Sequence, residues 1–530
     1  MAERKYRENE EKRLFSERRK QPGVGFPSAR KQDHLLIVRL NLEPSATKDI
    51  ARVRIGLRVL CNLFERIYKG RVKIDELLED GRVELWPLSR FDFSATIGFG
   101  IGFFEKLRLK QENRPKNLYE MPNHIGLLDP IQYKLFQTDM IIQLGSSKDI
   151  VNRWVFDSDI YPIEADDNKA YQESKYDNFF SAKYRNNRRV GTKSVHDIVT
   201  AIKDWAIVTD VHSGFQRIDG RNLMGFYDGT SNVDRLINDV VWTTKEDEGD
   251  KLKDGTYMVF NKIEHDLEQW RRLSDREKER WVGRSKGTGL LLGTLTKDQD
   301  DKLASDSRSE DPLIRRTALA KLRNLLDDQN EPEQRVFDSN DPRFKNIKFE
   351  CPIWSHVRKA NPRGEGGVEI VRIFRRGYLF MESSPDGKVS SGLLFICFQK
   401  NISKGFERIK KKFLNNKDFP VPEVRKSFTR EESTERRRHA RFSKDELRRM
   451  GPNEKYAFGL DSEEAYRQAI EESQYKDSQN TGREGLCGPS KLGIIPNGEF
   501  LATVTLGGGY YFIPPIPNKN ITELAEQFFD

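Results

Sequence analysis

Four times along this chain a short apolar run passes directly into a segment with helical apolar spacing, and that recurring order limits the fold more than any other feature. HLLIVRLNL (34 to 42) reads as a buried strand, and Ser45 to Lys69 then carries Ile55, Val59, Leu60, Leu63, Phe64 and Ile67 at the spacing of one helix face. DMIIQLG (139 to 145) runs into SKDIVNRWVF, where Ser147 is placed as an N-cap. GTYMVFNKI (255 to 263) leads to a helix with Ile263, Leu267 and Trp270 on one face, and Ser274 to Glu277 has capping-box spacing for a further short helix. GLLFICFQ (392 to 399) precedes Ile402, Phe406, Ile409 and Phe413, spaced by four, three and four residues.

Each half of the chain therefore repeats strand then helix, twice. With the additional short strands RVELWPL near 82 and EFLATVTL near 499, this pattern predicts an α+β protein of two similar split βαβ halves, residues 34–240 and 241–520. A doubly wound sheet would need a clearer series of parallel strands. Residues 1–33 read as a charged tail. The stretches 296–349 and 415–490, the latter containing TREESTERRRHARFSKDELRRM, are rich in charge and poor in apolar periodicity; they read as surface insertions, partly helical or mobile.

Concentrating charge in such extensions lets a chain that is 33% charged and 36% hydrophobic still build a sizeable core. The formal charge of +9 arises from 92 basic and 83 acidic residues, a mixed surface rather than a nucleic-acid stripe, and RRRHAR (436 to 441) is flanked by acids. Cys61, Cys351, Cys397 and Cys487 form neither a CxxC pair nor a zinc spacing, which suits a reducing compartment. The Arg18-Arg19 pair is followed by KQPGVGFPSARKQ instead of an apolar run, so no export is expected and a cytoplasmic location is; no run of apolar residues is long enough to span a membrane.

Two glycine-rich stretches fail as nucleotide sites. TIGFGIGFFEKL (96 to 107) has glycines at 98, 100 and 102 but Phe103 at the third position of GxGxxG, and GRSKGTG (283 to 289) lacks the order that aims backbone N–H groups and a lysine at phosphates. The seven histidines form no HxxxH or HExxH pair, so a metal would be held by one histidine, and haem iron is the leading case because the porphyrin supplies four ligands. His356, in CPIWSHVRKANPRG (351 to 364), stands out: it follows an apolar run and precedes Arg358, Lys359 and Arg363, cations of the kind that two buried propionates require. A satisfied core or surface histidine is the plainer reading. In GFYDGTSN (225 to 232) Asp228 lies between Tyr227 and Gly229, where Asp-Gly is also ordinary turn chemistry.

GFYDGTSN, SHVRKANPRG and VRIFRRGY (371 to 378) together resemble the dye-decolorising peroxidase family of haem enzymes, with its GxxDG motif, its axial histidine before an NPRG-like turn and its arginine in an I-x-R-R-G context. TIGFGIGFF, GTYMVFNKIEHDLEQW, WVGRSKGTG, SGLLFICFQKNI and LGGGYYFIPP are similar to family segments in the same order, so that the resemblance covers most of 35 to 520 in scattered blocks. One departure is Val233 where the family often has proline.

The resemblance implies two ferredoxin-like halves forming one haem-binding unit, with one haem b per chain held mainly by the second half. It implies His356 as the iron ligand, Asp228 as the acid–base group for a bound hydrogen peroxide, and Arg375 as the fixed positive charge, with Arg376 as the register alternative. Gly229, Thr230 and Ser231 would line the haem; Asn361, Pro362 and Arg363 would approach the propionates; Leu393 and Phe395 would form apolar walls, or be simple core. Bulky aromatic reductants would then be oxidised at the surface through Tyr or Trp, of which 16 and 7 are present, and activity would peak at acid pH. The expected partners are peroxide and an aromatic reductant, without nucleic acid or membrane; a homo-oligomer is allowed. The competing readings are a haem- or porphyrin-binding protein of iron handling and a haem-free, basic nucleic-acid-binding module.

Overall fold

The structure is a computed structural model and describes residues 19–25, 31–77, 83–122, 137–158, 197–228, 232, 237–330, 351, 355–362, 371–383, 387, 389–414, 503–517, 520–524 and 526–529. The second charged stretch, the RRRHAR run, Cys487, Gly229, Thr230, Ser231 and Arg363 lie outside these residues.

The first half runs β1 (His34–Leu42), α1 (Ile50–Tyr68), the side hairpin β2 (Lys73–Leu77) and β3 (Val83–Pro87), β4 (Ser94–Phe99), α2 (Ile101–Lys106), β5 (Met140–Ser146), α3 (Asp149–Phe156), α4 (Ile198–Ile202) and β6 (Ala206–Phe215). Its strands lie in the order β4-β5-β1-β6, each antiparallel to its neighbour. This is the βαββαβ arrangement of a ferredoxin-like unit. The second half repeats it: β7 (Thr256–His265), then α5 (Leu267–Arg272), α6 (Asp275–Val282), α7 (Lys297–Asp306), α8 (Pro312–Asn330) and α9 (His356–Ala360), then β8 (Phe374–Arg375), β9 (Tyr378–Ser383), β10 (Val389–Gln399), a π-helical segment Arg408–Leu414 and β11 (Thr503–Ile513). Its order is β9-β10-β7-β11, again antiparallel, and β8 extends the β9 edge of β10. The absence of parallel pairs among the described strands excludes a doubly wound sheet.

The halves meet at two narrow seams, Phe512 opposite Phe99 and Phe215 opposite Leu379, and these close the sheet into a ring. Alternation then divides each strand between two cores. Leu35 and Ile37 join Ile141, Met258, Phe260, Phe380, Leu394, Ile396, Tyr511 and Ile513 inside the ring. Leu36, Val38 and Leu40 face outward onto Leu57, Leu60 and Phe64 of α1. Gly98 is required on the inner side, because a Cβ there would stand 2.7 and 2.8 Å from the side chains of Ile513 and Ile141.

Several local expectations change. Ile55 is exposed, one residue off the buried stripe of α1. Ser147 does not cap α3; the helix begins after Lys148, and the Ser147 hydroxyl donates to the Phe91 carbonyl. Ile263 belongs to β7 and not to the following helix, since the strand runs on to His265. The capping box of Ser274 and Glu277 is present on α6. The tail expected over 1–33 is not free throughout: Gln21 bonds to Ile97 and Pro514, and Val24 is buried in the inner core. The first charged insertion is helical over α7 and α8, packed through Leu303, Ala318 and Leu322 onto Leu290.

Candidate functional site

His356 opens the five-residue helix α9, whose start is wedged against the end of α6. Gly283 closes α6 with φ of +88°, and a Cβ there would stand 2.5 Å from Ser355 Oγ and from Val357. The Cys351 thiol donates to the Gly283 carbonyl at 3.3 Å, and Arg358 donates to the Cys351 carbonyl. These contacts set where His356 stands. They also assign Arg358 to bracing the helix, not to a ligand.

His356 is half-buried, and its Nδ1 is buried without a hydrogen-bond partner. Burial first, then the charges of Arg375, Lys410, Arg284 and Lys359, push its pKa down to about 4. At neutral pH the ring is thus uncharged and keeps a lone pair, the form in which histidine ligates a metal. The four cations act in the same direction as burial, each disfavouring the imidazolium form.

Arg375 reaches this place from the opposite wall. It pairs with Cys397 across β8 and β10, and cross-strand partners share a sheet face, so Arg375, Cys397, Phe395 and Leu393 line the outer face of the second half. Asn261 and Ile263 of β7 stand opposite Phe395 and Leu393 on that face. Asn261 Oδ1 is another buried atom without a hydrogen-bond partner. Phe395 leans on Phe406, with ring centroids 5.7 Å apart, while Ile409 and Phe413 of the π-helical segment pack with Val371, Ile373 and Ala360 beside α9. Arg376, one residue on, turns inward: it is buried, donates to Gln32 at 2.9 Å and acts on Tyr378.

Asp228 ends a short hairpin in which Arg221 pairs with Tyr227 and the Asp228 N–H donates to the Gly220 carbonyl. Arg221 binds this turn to the 284–290 loop, donating to the carbonyls of Gly225 (2.7 Å), Lys286 and Gly287 and stacking 3.9 Å over Tyr227. That loop carries Arg284 and is in turn anchored by Ser285 and Thr288 to the buried Asp300 of α7. The turn also meets the Arg375 strand: Asn232 accepts from the Arg375 N–H at 3.0 Å and donates to its carbonyl at 2.8 Å. The Asp228 side chain is 33% exposed and forms an ion pair with Lys31 at 2.7 Å.

The structure thus sets Arg375, Leu393 and Phe395 on one sheet face, with Arg375 acting on His356, Asn361 as the C-cap of α9 and Pro362 buried just beyond it. Arg284, Lys410, Asn261, Asn232, Arg221 and Lys31 were not legible as site residues. Arg284, Lys410, Asn261 and Lys31 come from four separate segments, and Arg221 and Asn232 flank the Asp228 turn; only WVGRSKGTG carried a hint of Arg284. Among the described residues no cluster of three His, Cys, Asp or Glu forms a metal site, and no helix is long and apolar enough to cross a membrane.

The chain is an α+β protein of two antiparallel ferredoxin-like units, in which His356 stands within electrostatic reach of cations from several segments. Residues 219–430, two fifths of the chain, match the family model described as Dyp-type peroxidase, C-terminal. A deferrochelatase of Escherichia coli O6:K15:H31 (strain 536 / UPEC) is 29% identical over 197 residues, 36% of this chain and 37% of that protein. The chain therefore spans little more than a third of the length of the curated relatives it matches. Among solved structures, a DyP-type peroxidase from Cellulomonas bogoriensis is 18% identical, covering 94% of this chain and 92% of that one with a TM-score of 0.49. Ferric DtpA from Streptomyces lividans is 21% identical, covering 75% and 88% with a TM-score of 0.47.

Proposed function

We propose that this protein is a haem peroxidase that uses hydrogen peroxide to oxidise bulky aromatic and small phenolic reductants. What supports the reading is His356: a half-buried, neutral imidazole whose buried Nδ1 has no hydrogen-bond partner, with Arg375, Lys410, Arg284 and Lys359 acting on it. Those residues fit haem b, whose iron needs a neutral nitrogen donor and whose two carboxylates need cations. His356 would hold the iron, Arg284, Lys359 and Arg363 would face the propionates, and Leu393 and Phe395 would be apolar walls. Gly229, Thr230, Ser231, Asn361 and Pro362 are the further contacts on this reading. When bound, the haem supplies the electrons that cleave the O–O bond.

The chain's own residues then manage protons and charge. Asp228 takes a proton from the inner peroxide oxygen and returns it to the outer one, which leaves as water. Arg375 offsets the negative charge that gathers on the departing oxygen. Because a carboxyl exchanges the proton, turnover is expected to peak at acid pH; a profile flat from acid to neutral would count against Asp228.

The decisive test is the absorption spectrum of the protein after adding haem, compared with His356→Ala. A Soret band that responds to peroxide and is lost or altered in the variant is the expected result, with steady oxidation of an anthraquinone dye. No haem uptake would overturn the reading. A second reading is favoured by the relatives named deferrochelatase: iron handling, in which haem is bound and metal-free porphyrin accumulates without dye turnover.

A further inference from the structure

Lys31 lies in the segment expected to be a tail, yet its ammonium stands at the junction of the two loops that carry Asp228 and Arg375. Lys31 Nζ donates to Asp228 Oδ2 at 2.7 Å and to the Gly377 carbonyl at 2.7 Å, and it lies 5.5 Å from the Tyr378 ring centroid. The next residue, Gln32, accepts from Arg376 at 2.9 Å and donates to Ser94 at 2.9 Å, so the arm is held on both sides. With Asn232 clamping the Arg375 backbone from the other edge, the turn and the arginine strand are joined twice.

Other charges near Asp228 have partners of their own. On its hairpin, Arg217 pairs with Asp219, and Arg221 is spent on the carbonyls of Gly225, Lys286 and Gly287. From the 284–290 loop, Lys286 pairs with Asp275 at 2.7 Å. On the strand beyond, Arg376 goes to Gln32 and Arg375 faces His356. Asp33, on the arm itself, acts on Tyr378. The Lys31 ammonium meets the Asp228 carboxylate directly at 2.7 Å.

We infer that Lys31 is a positioning residue of the peroxidase site: it holds Asp228 ionised and fixes it beside the Arg375 strand, so that the proton acceptor stays available into the acid range. The inference rests on the proposed function, which makes Asp228 the proton carrier. An opposite charge at hydrogen-bond distance favours the ionised form of a carboxyl group.

The test uses the haem-free chain labelled with ¹³C at aspartate carboxyls, with Asp228→Asn to assign the resonance. In Lys31→Met the Asp228 titration midpoint should rise by about one unit, and Lys31→Arg should restore it. Lys31→Gln serves if the methionine variant fails to fold. In the haem-loaded protein the acid limb of kcat/KM for peroxide should move in the same direction while the Soret band stays unchanged. An Asp228 midpoint identical in natural, methionine and glutamine forms overturns the inference. A natural chain that takes up haem but never turns over peroxide overturns the catalytic meaning of the pair, even if the midpoint shifts. Failure of haem uptake overturns the peroxidase reading itself.

Discussion

At the scale of single residues, adjacency in sequence says little about adjacency in space. Arg375 and Arg376 are neighbours, yet one faces His356 and the other is buried against Gln32. Arg375→Ala is expected to lower kcat for peroxide by about 10² to 10³, the effect of losing one preorganised charge or donor, with thermal stability little changed. Arg376→Met should instead destabilise the fold, read as a lower denaturant midpoint, because it strips a partner from buried Gln32. His265 makes a third case. Burial alone pushes its pKa down to about 4, and its Nδ1 has no hydrogen-bond partner. The unfolded chain takes up a proton near the ordinary value of 6.5 while the folded one does not. Its contribution is therefore fully present above 6.5 and lost as pH falls toward 4, at about 1.4 kcal/mol per unit of displacement. His265→Gln should flatten the fall of the haem-free melting temperature across that window.

Among elements, the end of α6 and the start of α9 form the joint that aims His356. Gly283 needs its positive φ there and has no room for a Cβ. Gly283→Ala is expected to cost about 1–3 kcal/mol and to weaken haem binding, since the side chain would drive Ser355 and Val357 away. Haem titration set against a denaturation curve separates the two effects. The same scale explains α7: its apolar signal is weak, yet its Asp300 ties down the loop that delivers Arg284. An insertion read from charge content alone is thus part of the site's support.

Across the whole molecule, one end of the sheet ring holds a chain of charges drawn from both halves. Arg39 lies 3.4 Å from Asp210, Asp210 2.8 Å from His212, and Lys262 bonds Glu382 while standing 3.5 Å from His212. Arg39 also reaches Tyr511 at 3.3 Å and the Gly508 carbonyl at 3.4 Å, which links β1 to β11 of the other half. Arg39→Met should destabilise the protein by about 3–5 kcal/mol, because it leaves Asp210 buried with less compensation. Arg39→Met with Asp210→Leu should recover much of that loss, and chemical denaturation of the three forms measures it.

What the sequence determined by itself was the repeated strand–helix order; its three motifs offered candidate site residues. HLLIVRLNL forms the strand its apolar run predicts, whereas the helix expected from Ile402 to Phe413 is a turn leading to the π-helical segment Arg408–Leu414, and its four apolar residues divide between two clusters instead of sharing one face. The motif residues His356 and Asp228 could be named because their neighbours in sequence, NPRG and the flanking glycines, carry the resemblance. Short strands such as Phe374–Arg375 and Tyr378–Ser383 were not visible, since too few residues alternate to show a period. Only the tertiary structure decided that the halves close into one ring, that Arg375 acts on His356 while Arg376 bonds Gln32, and that Lys31 packs against Asp228 and does not hang in a free tail. The physical reason is range: ring closure and ion pairs join residues hundreds of positions apart, and no local pattern records which distant charge a folded backbone will bring within 3 Å.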